Sequence, residues 1–156
     1  MNNCEYIKTV NGKHLLYVMA TQAEYGPKLR ELYTPLITGV GPVESAIKLT
    51  QFLGSLHQLP DLVISVGSAG SSKLELMSIY QVSSVSYRDM DARPLGFEKG
   101  VTPFLGLPSH LKMPCLIPNL PCASLSCGGN IVSGHDYDNI DTDMVEMETF
   151  SCLRAC

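Results

Sequence analysis

Residues 35–70 read PLITGVGPVESAIKLTQFLGSLHQLPDLVISVGSAG, and this stretch decides the fold. Residues 35–39 form a short apolar run, read as a strand. Gly41-Pro42 then opens a helix, because proline is tolerated in a first turn and fixes φ near the helical value. The apolar residues Val43, Ala46, Ile47, Leu49, Phe52, Leu53 and Leu56 recur with a helical period. Pro60-Asp61 breaks the helix, and residues 62–66, LVISV, read as a buried strand. Strand, helix and strand in that order argue for an α/β fold with a largely parallel sheet.

Outward from this unit, residues 14–20 follow the Asn11-Gly12 turn signal and read as another buried strand. Residues 22–32 are expected to form a short helix, interrupted or started by Gly26-Pro27. Residues 79–87 alternate and carry enough β-branched side chains for a strand. Residues 103–122 hold Pro103, Pro108, Pro114, Pro118 and Pro121 among apolar residues, which reads as an irregular flap or interface segment. Residues 124–133 and 143–147 read as two further short strands, and residues 148–156 as a helix. There is no internal repeat, and residues 1–156 read as one domain.

The composition narrows the function. The chain has 156 residues, 45% hydrophobic and 17% charged, with a formal net charge of −4 from 15 acids and 11 bases. That is the profile of an ordinary globular protein. No basic run offers the clustered cationic surface that a duplex nucleic-acid binder needs. The N-terminus lacks an apolar core of signal-peptide length, and no stretch approaches the roughly 20 residues of a membrane span. The expected compartment is the cytoplasm, and the expected ligand is a small molecule. The cysteines at 4, 115, 122, 127, 152 and 156 include no C-x-x-C pair, so they read as six reduced thiols. No metal or cofactor is implied. The acidic run 136–143 fails as a calcium loop, because Ile140 takes a ligand position and Met147 stands where a bidentate glutamate belongs.

Four motifs carry chemistry. Gly67-Ser68-Ala69-Gly70 follows a buried strand, where ligands of α/β sheets bind; alone it reads equally as a turn. Gly39-Val40-Gly41-Pro42 leads into a helix N-terminus but lacks the third glycine of a dinucleotide site, since Glu44 stands there. Val145-Glu146-Met147-Glu148 places two glutamates at a strand end. If Glu148 opens the helix the two diverge, and one carboxylate is left to accept from both hydroxyls of a vicinal diol. Glu24 stands just past a strand in uncharged surroundings, where a carboxylate is placed to act as a base on water.

Together these pieces resemble the nucleoside phosphorylase/nucleosidase family, in particular its 5′-methylthioadenosine/S-adenosylhomocysteine nucleosidases. The resemblance runs in order through Ala20-x-x-x-Glu24, Gly39-Val-Gly41, Gly67-Ser-Ala-Gly70, Tyr87-Arg-Asp-Met-Asp91 with Gly96-Phe97, Val132-Ser-Gly134 and Val145-Glu-Met-Glu148. Each motif is weak alone; their common order is specific. The resemblance implies a three-layer α/β/α sandwich with a mixed, mostly parallel central sheet. It implies hydrolysis of an N-glycosidic bond with release of adenine, and a homodimer. By position, Glu24 matches the glutamate that activates water. Glu148 matches the one that binds the ribose hydroxyls, and Met147 packs under the sugar, with Glu146 counted among the residues lining it. Ser68, Ala69 and Gly70 match the loop beside the nucleoside. Tyr137 matches an aromatic stacked on the purine, and Asp138 the main chain that reads the adenine edge.

The family's general acid is an aspartate in a Ser-Asp pair on a later strand, which this chain does not match. The sequence is therefore expected to be missing its C-terminal strand and helix, and to bind and turn over nucleoside poorly as it stands. Two alternatives stay open. A phosphorylase would bring arginines to phosphate, with Arg30, Arg88 and Arg93 as candidates. A non-catalytic nucleoside-binding paralogue would fit the unmatched acid.

Overall fold

The computed structural model describes residues 3–156, and the chain divides into two compact units. One unit runs to Ser68 and takes in Ser151–Cys156; the other is Ala69–Phe150.

The first unit begins with a hairpin that the sequence reading left out. Strands β1 (Ile7–Val10) and β2 (Lys13–Met19) pair antiparallel, with Ile7 opposite Leu16 and Val10 opposite Lys13. Asn11 and Gly12 form the two-residue turn, with φ of 49° and 77°. A positive φ at both positions matches the turn's twist to that of the strands, which is why Asn-Gly is favoured there. Two more strands flank β2 in parallel: β3 (Leu36–Ile37) and β4 (Leu62–Ser65). Asp61 fastens the start of β4, because its carboxylate accepts from His14 N–H at 2.8 Å and Lys13 Nζ at 3.3 Å.

The helix expected over 22–32 is started by Gly26-Pro27 and is shorter than that range. A 3-10 turn, Gln22–Glu24, precedes a one-turn helix, α1 (Pro27–Arg30). Pro27 cannot donate to a preceding turn, and it holds Gly26 extended at ψ 169°, so no helix passes through this pair. The longer helix, α2 (Pro42–Gly54), forms where its period predicts. It buries Ser45, Leu49 and Phe52, one stripe at helical spacing. Leu49 and Phe52 meet Leu16, Val18 and Leu36 of the sheet and Cys152 of α3 (Thr149–Ala155) in one core. The Ser45 hydroxyl donates to Gly41 O at 2.9 Å and lies 2.5 Å from the Ser151 hydroxyl, so neither polar group is buried without a partner.

In the second unit the sheet order is β6 (His110–Lys112), β5 (Gln81–Tyr87), β7 (Cys122–Cys127), β8 (Met144–Glu146). β5 runs antiparallel to β6 and parallel to β7, and β7 is parallel to β8. Val85, Leu125 and Cys127 are fully buried on this sheet. Most strand pairings across the two units are parallel, which gives the mixed, mostly parallel α/β class that was expected.

Three expectations change here. The segment 103–122 is not wholly irregular, because β6 lies within it and hydrogen-bonds to β5. The strand expected over 124–133 stops at Cys127, where Gly129 N–H turns to the Asp89 carboxylate and the chain passes into a 3-10 turn, Gly134–Asn139. Cys115 and Cys122 are joined as a disulfide, which corrects the reading of reduced thiols. Pro118 and Pro121 turn the intervening chain back on itself, and Gln81 fixes it by donating to Ile117 O and Leu120 O at 2.8 and 2.9 Å. Cys127, Cys152 and Cys156 are free thiols, and the Cys4 side chain lies outside those described.

Candidate functional site

Glu24 ends the 3-10 turn that Thr21 caps, with Thr21 Oγ1 accepting from Ala23 N–H at 3.3 Å. Its carboxylate meets the loop that leaves β4. Ser68 donates twice to the same oxygen, Glu24 Oε1, from its N–H at 2.9 Å and its hydroxyl at 2.5 Å. Oε2 is buried and has no hydrogen-bond partner among the described residues. Two donors on one oxygen fix the plane of the carboxylate. The other oxygen keeps its lone pairs for a further donor. Gly67 stands beside this group, where an added Cβ would lie 3.6 Å from Oε1.

The second group gathers at the end of β8. Gly70 and Val145 exchange backbone hydrogen bonds at 2.9 and 2.8 Å. That bridge holds Gly70 against the strand leading to Glu146. Tyr137, in the Gly134–Asn139 turn, presses its hydroxyl against Gly70, so a side chain there would collide with it. Ala69 adjoins this bridge. Asp138 is exposed and faces His135 at 3.5 Å, leaving its side chain away from the group.

Glu146, Met147 and Glu148 are half-buried in the passage from β8 into α3. Glu146 turns its carboxylate onto the chain that follows, where Oε2 accepts from Glu148 N–H and Thr149 N–H, both at 2.7 Å, and from the Thr149 hydroxyl at 2.9 Å. Glu148 stands just before α3 with its main chain held in this way.

The three candidate arginines are each engaged by groups of the chain itself. Arg88, 9% exposed, donates from one terminal nitrogen to Ser126 O and Glu146 O, both at 2.9 Å. Arg30 lies 4.8 Å over the Tyr25 ring and donates to its carbonyl at 3.1 Å. Arg93 binds Asp91 at 2.6 Å and holds that carboxyl down at about 2.

No family model matches the chain. A 5′-methylthioadenosine/S-adenosylhomocysteine nucleosidase of Staphylococcus saprophyticus is 38% identical over 68 residues, 42% of this chain and 29% of that relative. The match thus spans less than a third of the relative's length. The structure superposes on the corresponding Campylobacter jejuni nucleosidase with a TM-score of 0.78, at 16% identity over 93% of this chain and 80% of that one. The Neisseria meningitidis enzyme, solved with methylthio-immucillin-A, gives 0.72 at 17% identity over 91% and 78%. The chain has the nucleosidase fold.

Within this nucleosidase fold, sequence reasoning missed several supporting residues. Ser71 and Lys73 strap the acidic loop: Ser71 Oγ donates to Asp143 O at 2.7 Å, and Lys73 Nζ to Thr142 O at 2.7 Å. Asp143 accepts from Ser124 N–H at 2.8 Å and Ser124 Oγ at 2.7 Å, and these bonds hold its carboxyl below the usual range. These bonds hold residues 140–143, which follow the Tyr137 turn. The chain separation of these partners, 19 residues for Ser124 and Asp143, left no local signal. Among the described residues, no cluster of His, Cys, Asp and Glu is arranged to hold a metal, and no helix is long and apolar enough to cross a membrane.

Proposed function

We propose that the protein hydrolyses the N-glycosidic bond of 5′-methylthioadenosine and S-adenosylhomocysteine, releasing adenine. The observation that carries this reading is Glu24, with one oxygen held by two Ser68 donors and the other unpartnered. A carboxylate fixed in that way is a base for one water, and a positioned base contributes roughly 10²–10⁴-fold to a rate. Cleavage at the anomeric carbon passes through a cation-like sugar, which a nearby carboxylate stabilises. Glu148 takes that place and accepts from the ribose diol. Met147 packs beneath the sugar, Tyr137 stacks on the purine, and the main chain at Asp138 reads its edge. Ser68, Ala69 and Gly70 line the nucleoside. Water is the nucleophile, so the reaction calls for no cofactor. The likeness to nucleosidases in sequence and fold supports the same reading.

The engagement of Arg30, Arg88 and Arg93 favours water over phosphate as the acceptor. We place the protein in the cytoplasm, as a homodimer acting on a small nucleoside, with neither nucleic acid nor membrane as partner. The test is adenine release from methylthioadenosine, with and without inorganic phosphate. Phosphate-independent release supports the hydrolase. Release only with phosphate makes it a phosphorylase. Heat-stabilisation by the nucleoside without release makes it a binding module.

A further inference from the structure

The Glu146 carboxylate is turned onto the chain that follows it. Its Oε2 already accepts from three donors, all belonging to residues 148 and 149. Its Oε1 is buried, without a hydrogen-bond partner among the described residues. The main chain of Glu146 is equally committed, since its carbonyl accepts from Arg88 at 2.9 Å and from Gly128 N–H at 3.1 Å. Position 146 pairs with Cys127, which is fully buried, so the strand delivers this side chain inward.

The donors it satisfies are the first N–H groups around the start of α3, which have no partner inside a helix. A carboxylate there is favoured both by hydrogen bonding and by the helix dipole. Its effect is local and specific: it fixes the peptide N–H of Glu148, the residue whose side chain must meet the diol.

We infer that Glu146 is a positioning residue. Its carboxylate clamps the main chain at Glu148 and Thr149 and thereby aims the Glu148 carboxylate at the two ribose hydroxyls. The aiming role rests on the proposed nucleosidase reading; the clamp itself does not.

The experiment compares Glu146→Ala, Glu146→Gln and Glu148→Gln with the wild type by two readouts. Amide hydrogen exchange at Glu148 and Thr149 reads the clamp. The kcat/KM ratio of methylthioadenosine to its 3′-deoxy analogue reads the aim. Glu146→Ala is expected to speed exchange at both amides about tenfold or more, the scale of losing a charged hydrogen bond. The same variant should lose the diol preference, as Glu148→Gln does. Glu146→Gln retains an acceptor oxygen and should keep most of both. Unchanged exchange in Glu146→Ala overturns the clamp. Slowing of both nucleosides by the same factor, with the diol preference intact, overturns the aim and leaves only a structural part. A wild type that neither binds methylthioadenosine nor releases adenine sinks the nucleosidase reading and the aim with it, while the exchange measurement still decides the clamp.

Discussion

Replacing Arg88 with methionine keeps an apolar stem of similar length and removes every donor. In the native chain the guanidinium is 9% exposed and gives Ser126 O and Glu146 O a bond of 2.9 Å each. Hydrogen bonds from a charged donor contribute about 1.5–3 kcal/mol each, so the pair amounts to roughly 3–6 kcal/mol. The Glu146 carbonyl keeps a second donor, Gly128 N–H at 3.1 Å, which softens its loss. We expect Arg88→Met to cost about 3–5 kcal/mol, a large share of the 5–15 kcal/mol that holds a typical domain. Urea unfolding measures this directly. With a slope of about 2 kcal/mol/M the midpoint should fall by roughly 1.5–2.5 M. The same titrations repeated in inorganic phosphate separate two duties for this arginine. A phosphate ligand at about 100 times its Kd would add roughly 2.7 kcal/mol to the wild type alone. The reasoning is refuted if Arg88→Met costs under about 1 kcal/mol. It is refuted equally if phosphate stabilises the wild type and that gain disappears in the variant, for then Arg88 serves an anion and not three strands.

Further outcomes follow from other contacts. Glu24→Gln should lower kcat for adenine release by about 10²–10⁴-fold with little change in thermal stability, because an amide oxygen still accepts from Ser68; a loss below tenfold in steady-state assays removes Glu24 as the base. Leu49→Ala, fully buried in the first core, should cost about 2–5 kcal/mol in chemical unfolding. Gly70→Ala puts a methyl against the Tyr137 hydroxyl and 3.3 Å from Val145 Cγ2, so calorimetric affinity for the nucleoside should fall through displacement of Tyr137. Asp143→Asn tests acid stability. The Ser124 bonds depress the folded Asp143 pKa, so its ionised form stabilises the fold above the unfolded value of about 3.9, and that contribution fades as pH falls through the folded value. Variant and wild type should therefore differ at neutral pH, begin to converge as pH falls below about 3.9, and meet only below the depressed folded value of Asp143.

Much of the fold could be read locally. The period of α2, the Asn11-Gly12 turn and the apolar runs of β2 and β4 each reflect forces acting within a few residues. The readings that failed depend on partners far away. β6 is three residues among prolines and becomes a strand only because β5 offers its edge. Strand β1 is short and largely exposed, and it owes its form to the hairpin. The disulfide gave no spacing cue, since Cys115 and Cys122 are joined around a turn that Gln81 organises. Within the candidate site, Glu24 and Glu148 stood out because charge at a strand end is informative. The tasks of Ser68 and Glu146 were hidden, because both are defined by which atoms they hydrogen-bond.

The first unit is discontinuous, closing around its core with Ser151–Cys156 after an excursion of 82 residues, Ala69–Phe150. A ribosome makes β1 to β4 and α2 early, yet Cys152 and the Ser151 hydroxyl that meets Ser45 emerge only near residue 152. Until then the flank of α2 around Leu49 and Phe52 lacks part of its cover. The nascent chain must therefore carry an unfinished apolar surface from the completion of α2 until residue 152 is made, a state in which chaperones and aggregation compete for it. The second unit is continuous in sequence and free of that delay, so the order of maturation runs against the order of translation.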